Sequence, residues 1–124
     1  MRIFKTKWFA KFAKQNRIED ADLIVAITRA EAGHIDADLG GGVIKQRIPR
    51  KNEGRSGGYR SIVIFKKEDR AFFVYGFLKS GQTNIGQGDL EDFRIMALTL
   101  LAYTDESLKI VLDEKAIVEV KNNE

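Results

Sequence analysis

The sequence predicts a single α+β domain, and three observations predict it. Segments with apolar residues at helical spacing come first, β-rich runs cluster in the middle and a further helical pattern follows, whereas a doubly wound sheet would alternate the two. The two richest β runs, Tyr59-Arg-Ser-Ile-Val-Ile-Phe65 and Ala71-Phe-Phe-Val-Tyr-Gly-Phe77, are joined only by the charged Lys66-Lys-Glu-Asp-Arg70, which makes them an antiparallel hairpin at the centre of a sheet. With 124 residues, 44% hydrophobic and 31% charged, the chain suits one compact core over residues 1–124 and leaves no room for a second.

The elements follow in order. Met1 to Lys5 reads as a short strand. Thr6 to Asn16 sets Trp8, Phe9 and Phe12 at helical spacing with Lys7, Lys11 and Lys14 on another face, an amphipathic helix. Glu19 or Asp20 opens a second helix that runs to about Ala32, with Leu23, Ile24 and Ile27 on its buried stripe, acids in its first turn and Gly33 as its stop. Gly40-Gly41-Gly42 is read as a tight connection from a helix into the alternating strand Val43–Ile48, which Pro49 ends. Residues 49–58 form a Gly-rich basic loop and Asn84 to Gly88 another loop. Asp89 to Tyr103 carries Leu90, Phe93, Met96, Ala97, Leu100 and Leu101 at 3–4 spacing, Asp105 to Leu112 is also helical, and Ala116–Val120 is a short last strand.

Composition excludes several classes of chemistry. The absence of cysteine rules out a disulfide scaffold, thiolate zinc sites and Cys nucleophiles, and it fits a reducing compartment. The lone histidine, His34, cannot build a His-rich metal site and is expected to be structural or solvent-exposed. There is no Walker loop, G-x-G-x-x-G, H-E-x-x-H or Ser-His-Asp set, so no cofactor is expected. The apolar runs are strand-sized, no signal peptide is evident and no membrane span is present, so the expectation is a soluble cytoplasmic protein with no membrane partner.

Charge is distributed unevenly. The net value is only +3, yet residues 1–17 hold six Lys/Arg and no acid, and Lys45 to Arg70 holds nine basic residues against Glu53, Glu68 and Asp69. The last 41 residues reverse the sign, with nine acids against four basic residues. A basic middle flanked by acidic helices focuses positive potential on one face, the footprint of a polyanion partner. Within it, Arg55-Ser-Gly-Gly-Tyr-Arg60 joins a basic loop to a strand, and guanidinium is planar, permanently charged and bidentate toward phosphate. Strand alternation puts Lys45 and Arg47 on one face and sets Tyr59 and Ser61 opposite to Arg60, so that Arg60 can stand beside Arg47. Tyr75, Phe77 and Lys79 share parity, an aromatic and cationic stripe suited to stacking an unpaired base and holding its phosphate.

Three stretches give the chain a resemblance to a known family. Asp36-Ala-Asp-Leu-Gly-Gly-Gly-Val-Ile-Lys-Gln-Arg-Ile48, Arg55-Ser-Gly-Gly-Tyr-Arg60 and Ala71-Phe-Phe-Val-Tyr-Gly-Phe-Leu-Lys79, followed by Asn84-Ile85, resemble the RelE/HigB superfamily of bacterial type II toxins, particularly its HigB-related branch. The resemblance implies N-terminal helices packed on a curved antiparallel sheet with a C-terminal helix. It also implies ribosome-dependent endonucleolytic cleavage of messenger RNA, and a cognate antitoxin with a DNA-binding helix-turn-helix. Arg60 matches the family's phosphate-binding arginine and Lys79 its basic residue ending the next strand. Lys45, Arg47, Arg55 and Tyr75 follow by position. No histidine follows His34, so the chain departs from branches with catalytic histidines.

These readings give each residue a role. RNA carries its own nucleophile in the 2′-OH, so a metal-independent endoribonuclease needs a base, charge stabilisation and a proton for the leaving oxygen. The catalytic candidates are Lys79 or Lys45 as base, Arg60 and Arg55 as charge stabilisers and Tyr75 as stacking platform or proton donor. Arg47, Arg50, Lys51, Tyr59 and Phe77 are the RNA-binding candidates. The competing expectation is a ParE-like inhibitor of DNA gyrase or a non-catalytic RNA-binding module on the same fold.

Overall fold

The computed structural model describes residues 1–49, 58–78 and 85–121. In chain order these form β1 (Arg2–Thr6), α1 (Lys7–Gln15), α2 (Asp20–Glu31), β2 (Ala37–Gly40), β3 (Val43–Ile48), β4 (Tyr59–Lys66), β5 (Arg70–Leu78), α3 (Gln87–Leu100), α4 (Asp105–Asp113) and β6 (Ile117–Glu119). The strands make one open sheet in the order β2-β3-β4-β5-β1-β6. The architecture is the expected α+β one, with the β4–β5 hairpin at its centre. One pair departs from the antiparallel expectation: β1 lies parallel to β5, and β6 returns antiparallel along its other side.

Local chemistry starts α1, α2 and α4 where the sequence places them. By contrast, α3 begins at Gln87, two residues before the expected Asp89, behind Gly86 and without a side-chain cap, and it takes Gln87 and Gly88 out of the expected loop. The Thr6 hydroxyl accepts from the Phe9 amide at 3.2 Å at the head of α1, and Thr104 accepts from the Ser107 amide at 3.0 Å at the head of α4. At α2 the Glu19 amide donates to Asp22 Oδ2 at 2.9 Å, half of a capping box. Gly41 and Gly42 both have positive φ and turn β2 into β3 as a hairpin. The element before that turn is therefore a strand and not the end of a helix. Ala-Asp-Leu-Gly is too short and too acidic to announce itself as β, and only its pairing with β3 makes it so.

Helices cover both faces of the sheet. Phe9 and Ala13 of α1 and Leu23, Ala26, Ile27 and Ala30 of α2 pack on Ile44, Ile48, Tyr59, Val63 and Phe73. Ala97 and Leu100 of α3 and Leu108 of α4 pack on the opposite face with Phe4, Ile62, Ile64 and Phe72. Each fully buried Phe, Leu or Ile contributes about 1.5–3 kcal/mol relative to exposure, so the two cores fix the register of the strands between them. Gly76 lets α1 lie close to β5, for a Cβ there would stand 2.4 Å from the Phe12 ring. Arg70, counted by sequence in the basic segment, is turned inward: Nη1 donates to the Tyr103 carbonyl at 2.7 Å and to that of Leu100 at 3.4 Å. It caps the C-terminal end of α3, where a cation is favoured.

Arg2 ties the first strand to the last, Nε and Nη2 donating to both carboxylate oxygens of Glu119 at 3.0 and 3.1 Å. These hydrogen bonds hold the Glu119 carboxyl below its ordinary value against the opposing effect of partial burial. The hydrogen bond from Arg70 lowers Asp69 in the same way.

Gly76→Ala lowers stability by about 1–3 kcal/mol by driving a methyl into Phe12, whereas Gly88→Ala, where a Cβ meets nothing within 4 Å, does not; urea midpoints of the two variants check this. Because the folded Glu119 value is depressed, its contribution is present above the ordinary carboxylate range and is lost as pH falls through the folded value. Glu119→Gln therefore costs up to about 1 kcal/mol at neutral pH, as for an exposed pair, and its urea midpoint declines less on acidification than that of the wild type.

Candidate nucleic-acid interface

Register decides which side chains meet. Val43 of β3 and Ile62 and Ile64 of β4 enter the α3 core, so alternation sends Lys45, Arg47 and Arg60 to that same face. In β5 the simple alternation breaks. Ile62 pairs with Tyr75 but Val63 pairs with Phe73, leaving Val74 as an extra residue, a β-bulge. Phe72 and Val74 lie in the α3 core, and past the bulge Tyr75 and Phe77 lie there too. Without the extra residue Tyr75 and Phe77 would point into the α1–α2 core.

Three strands thus bring their residues into two rows. Arg47 pairs with Arg60 and Arg60 with Phe77; one step along, Lys45 pairs with Ile62 and Ile62 with Tyr75. Lys45 and Tyr75 stand two strand spacings apart, about 10 Å. The pairing of Arg47 with Arg60 places like charges directly opposite, which alone is destabilising. Asp36, just before β2, answers with a shared carboxylate: Oδ2 lies 3.4 Å from Arg60 Nε and Oδ1 lies 4.0 Å from Arg47 Nη2. The Arg60 side chain is only 13% exposed, and its Nη1 is buried with no hydrogen-bond partner among the described residues. An unsatisfied buried donor costs about 1–3 kcal/mol, a cost that an incoming anionic oxygen removes.

The aromatic candidates divide. The Tyr75 ring stacks on Trp8 of α1 at 4.7 Å and also meets Phe93 of α3 at 6.0 Å and Phe77 at 6.1 Å. Trp8 stacks in turn near Phe12 at 5.4 Å, yet remains 48% exposed. Tyr75, Ile85, Asp89 and Phe93 line a small cavity of about 110 Å³. Phe77 is 7% exposed and serves mainly the α3 core. Tyr59 lies on the other face, buried in the α1–α2 core, with its hydroxyl 3.5 Å from the Asn16 carbonyl and its ring edge-on to Phe12.

The structure therefore brings Arg47, Arg60 and Phe77 into one row, sets Lys45 and Tyr75 in the next, and keeps Tyr59 away. Arg50, Lys51, Arg55 and Lys79 lie outside the described residues. His34 is exposed, as expected, and its carbonyl is held by Gln46 Nε2 at 2.9 Å.

Sequence reasoning missed Asp36 and Trp8 as parts of this surface. Asp36 stood in plain view in an acidic stretch, but its partners come from strands 11 and 24 residues away. Trp8 was read only as part of an apolar helix stripe; its i,i+4 pairing with Phe12 was visible, and the stack on Tyr75 required the fold.

A family model described as the RelE toxin of the RelE/RelB toxin–antitoxin system matches residues 1–120. Among curated proteins none matches the chain.

Proposed function

The chain belongs to the RelE toxin family, matched over residues 1–120, and from that premise we propose that it is a ribosome-dependent endoribonuclease that cuts messenger RNA. The observation that carries the reading is the Arg47–Arg60 pair. Two arginines stand opposite one another on adjacent strands, and Arg60 keeps a buried donor with no partner among the described residues. A phosphate is the ligand such a pair fits, because it offers several anionic oxygens to planar, permanently charged donors.

In the proposed reaction the RNA 2′-oxygen forms a bond to the adjacent phosphorus and the bond to the 5′-oxygen breaks. The products are a 2′,3′-cyclic phosphate and a free 5′-hydroxyl. The proton of the 2′-OH passes to a base, Lys45 or Lys79, and the leaving oxygen takes one from Tyr75. Arg60, with Arg47 and Arg55, stabilises the charge that builds on the phosphoryl oxygens, the step on which preorganised donors have most effect. Trp8, with its exposed ring, offers stacking surface to unpaired bases, Phe77 being too buried to do so, and Arg50 and Lys51 hold backbone phosphates. Lysine and tyrosine are weak catalysts when substrate is loosely aligned, so the ribosome supplies the alignment. A cognate antitoxin carrying a helix-turn-helix neutralises the protein, which acts in the cytoplasm where translation occurs. No helix of the described residues is long and apolar enough to cross a membrane.

Arg60→Ala lowers kcat for cleavage of ribosome-bound message by about 10²–10³-fold and lifts growth arrest, with 5′-end mapping of transcripts in translating cells as the check. Retention of the wild-type cutting pattern and rate by Arg60→Ala contradicts the assignment. DNA breaks with an SOS response and no codon-phased cuts favour gyrase inhibition instead.

A further inference from the structure

A second cavity lies beside the arginine pair, with a volume of about 220 Å³. Val25 and Arg29 of α2, His34, Asp36, Arg47 and Pro49 line it. Asp36 and Arg47 also belong to the arginine pair, so the cavity and the pair are contiguous. We infer that this cavity is a subsite for the neighbouring nucleotide of the same single-stranded RNA, taking its base between Val25 and Pro49 and its phosphate on Arg29. The inference rests on the nuclease reading and extends it to the path of the strand.

Each wall suits that occupant. Val25 is apolar yet 53% exposed, and it stands one helical turn from Arg29, so the two share one face of α2 away from the stripe Leu23, Ala26, Ile27 and Ala30. Pro49 at the end of β3 gives the facing apolar wall. Arg29 is exposed and makes no ion pair among the described residues, leaving its guanidinium available to an anion. Gln46 completes the lining but is buried with both donors used: its Nε2 donates to the carbonyls of Ala26 and His34, and its Oε1 accepts from the Asp36 amide. These bonds fix the floor and hold His34 in place; they leave the amide no role in reading a base. The subsite is therefore rigid and selects shape and phosphate rather than base edge.

The test uses the full-length protein and two readouts. The first is fluorescence anisotropy of a short labelled single-stranded RNA made non-cleavable by 2′-deoxy substitution. The second is steady-state cleavage of ribosome-bound message. Arg29→Ala weakens RNA binding about tenfold, the effect of one lost charge-assisted contact, and Arg29→Lys restores most of it, while Val25→Glu weakens binding as well by setting a carboxylate on the apolar wall. In cleavage both variants raise KM more than they lower kcat, the reverse of Arg60→Ala. Unchanged thermal melting of Arg29→Ala and Val25→Glu confirms that both fold. Wild-type binding by both variants overturns the subsite and leaves the nuclease reading intact. A loss confined to kcat overturns it as well. If the wild type binds the RNA and Arg29→Ala weakens that binding but no cleavage occurs with ribosomes, the subsite stands and the nuclease reading fails.

Discussion

One extra residue in β5 sets what this protein can present to a ligand. Val74 has no partner in the register between β4 and β5, and past it Tyr75 and Phe77 turn to the face that carries Arg60. Side-chain direction in a strand has a period of two, so a single inserted residue moves everything beyond it to the other side. Gly76 then falls under α1, where any larger residue would strike Phe12. The bulge, the glycine and the docking of α1 are thus one constraint. It explains why the outer part of β5 holds both the densest aromatic contacts and the neighbour of the cationic pair.

The same rigidity makes an unfavourable charge arrangement tolerable. Arg47 and Arg60 repel one another across the ladder, and the protein answers with Asp36 from outside the strands, not by separating them. Two packed cores, one under α1 and α2 and one under α3 and α4, leave the strands little freedom to slip away from the repulsion. Charge that could blur the site is used elsewhere: Arg70 caps α3, Lys66 pairs with Asp69 at 3.4 Å, and Arg94 pairs with Glu91 while lying against Gly40 and Gly41. Of the described part of the basic segment, Lys45, Arg47 and Arg60 thus share the α3-facing side of the sheet, whereas Lys66 and Arg70 are engaged elsewhere.

Much of the fold was legible because its signals are local. Thr6 and Glu19 announce helices, Gly33 and the glycine run announce a stop and a turn, and the alternation in Val43–Ile48 and Tyr59–Phe65 announces strands. Parity also put Lys45 with Arg47, and Tyr59 opposite Arg60, before any coordinates. What could not be read depends on partners distant in sequence. β2 is a strand only because β3 pairs with it, β1 is parallel to β5 only through its insertion beside the hairpin, and the burial of Tyr59 comes from α1. The bulge at Val74 is silent in sequence, since an apolar residue in a run of apolar residues marks no irregularity. Asp36 looked like one acid among several until the fold set it between two arginines.

A double-mutant cycle reads directly whether Arg47 and Arg60 meet one phosphate together. Affinity for a non-cleavable single-stranded RNA is measured for the wild type, Arg47→Ala, Arg60→Ala and the double variant. A shared phosphate predicts that the double variant loses less than the two single losses combined, with a coupling of about 1 kcal/mol or more. Losses that add to within about 0.3–0.5 kcal/mol show the two arginines acting on separate groups and contradict the account.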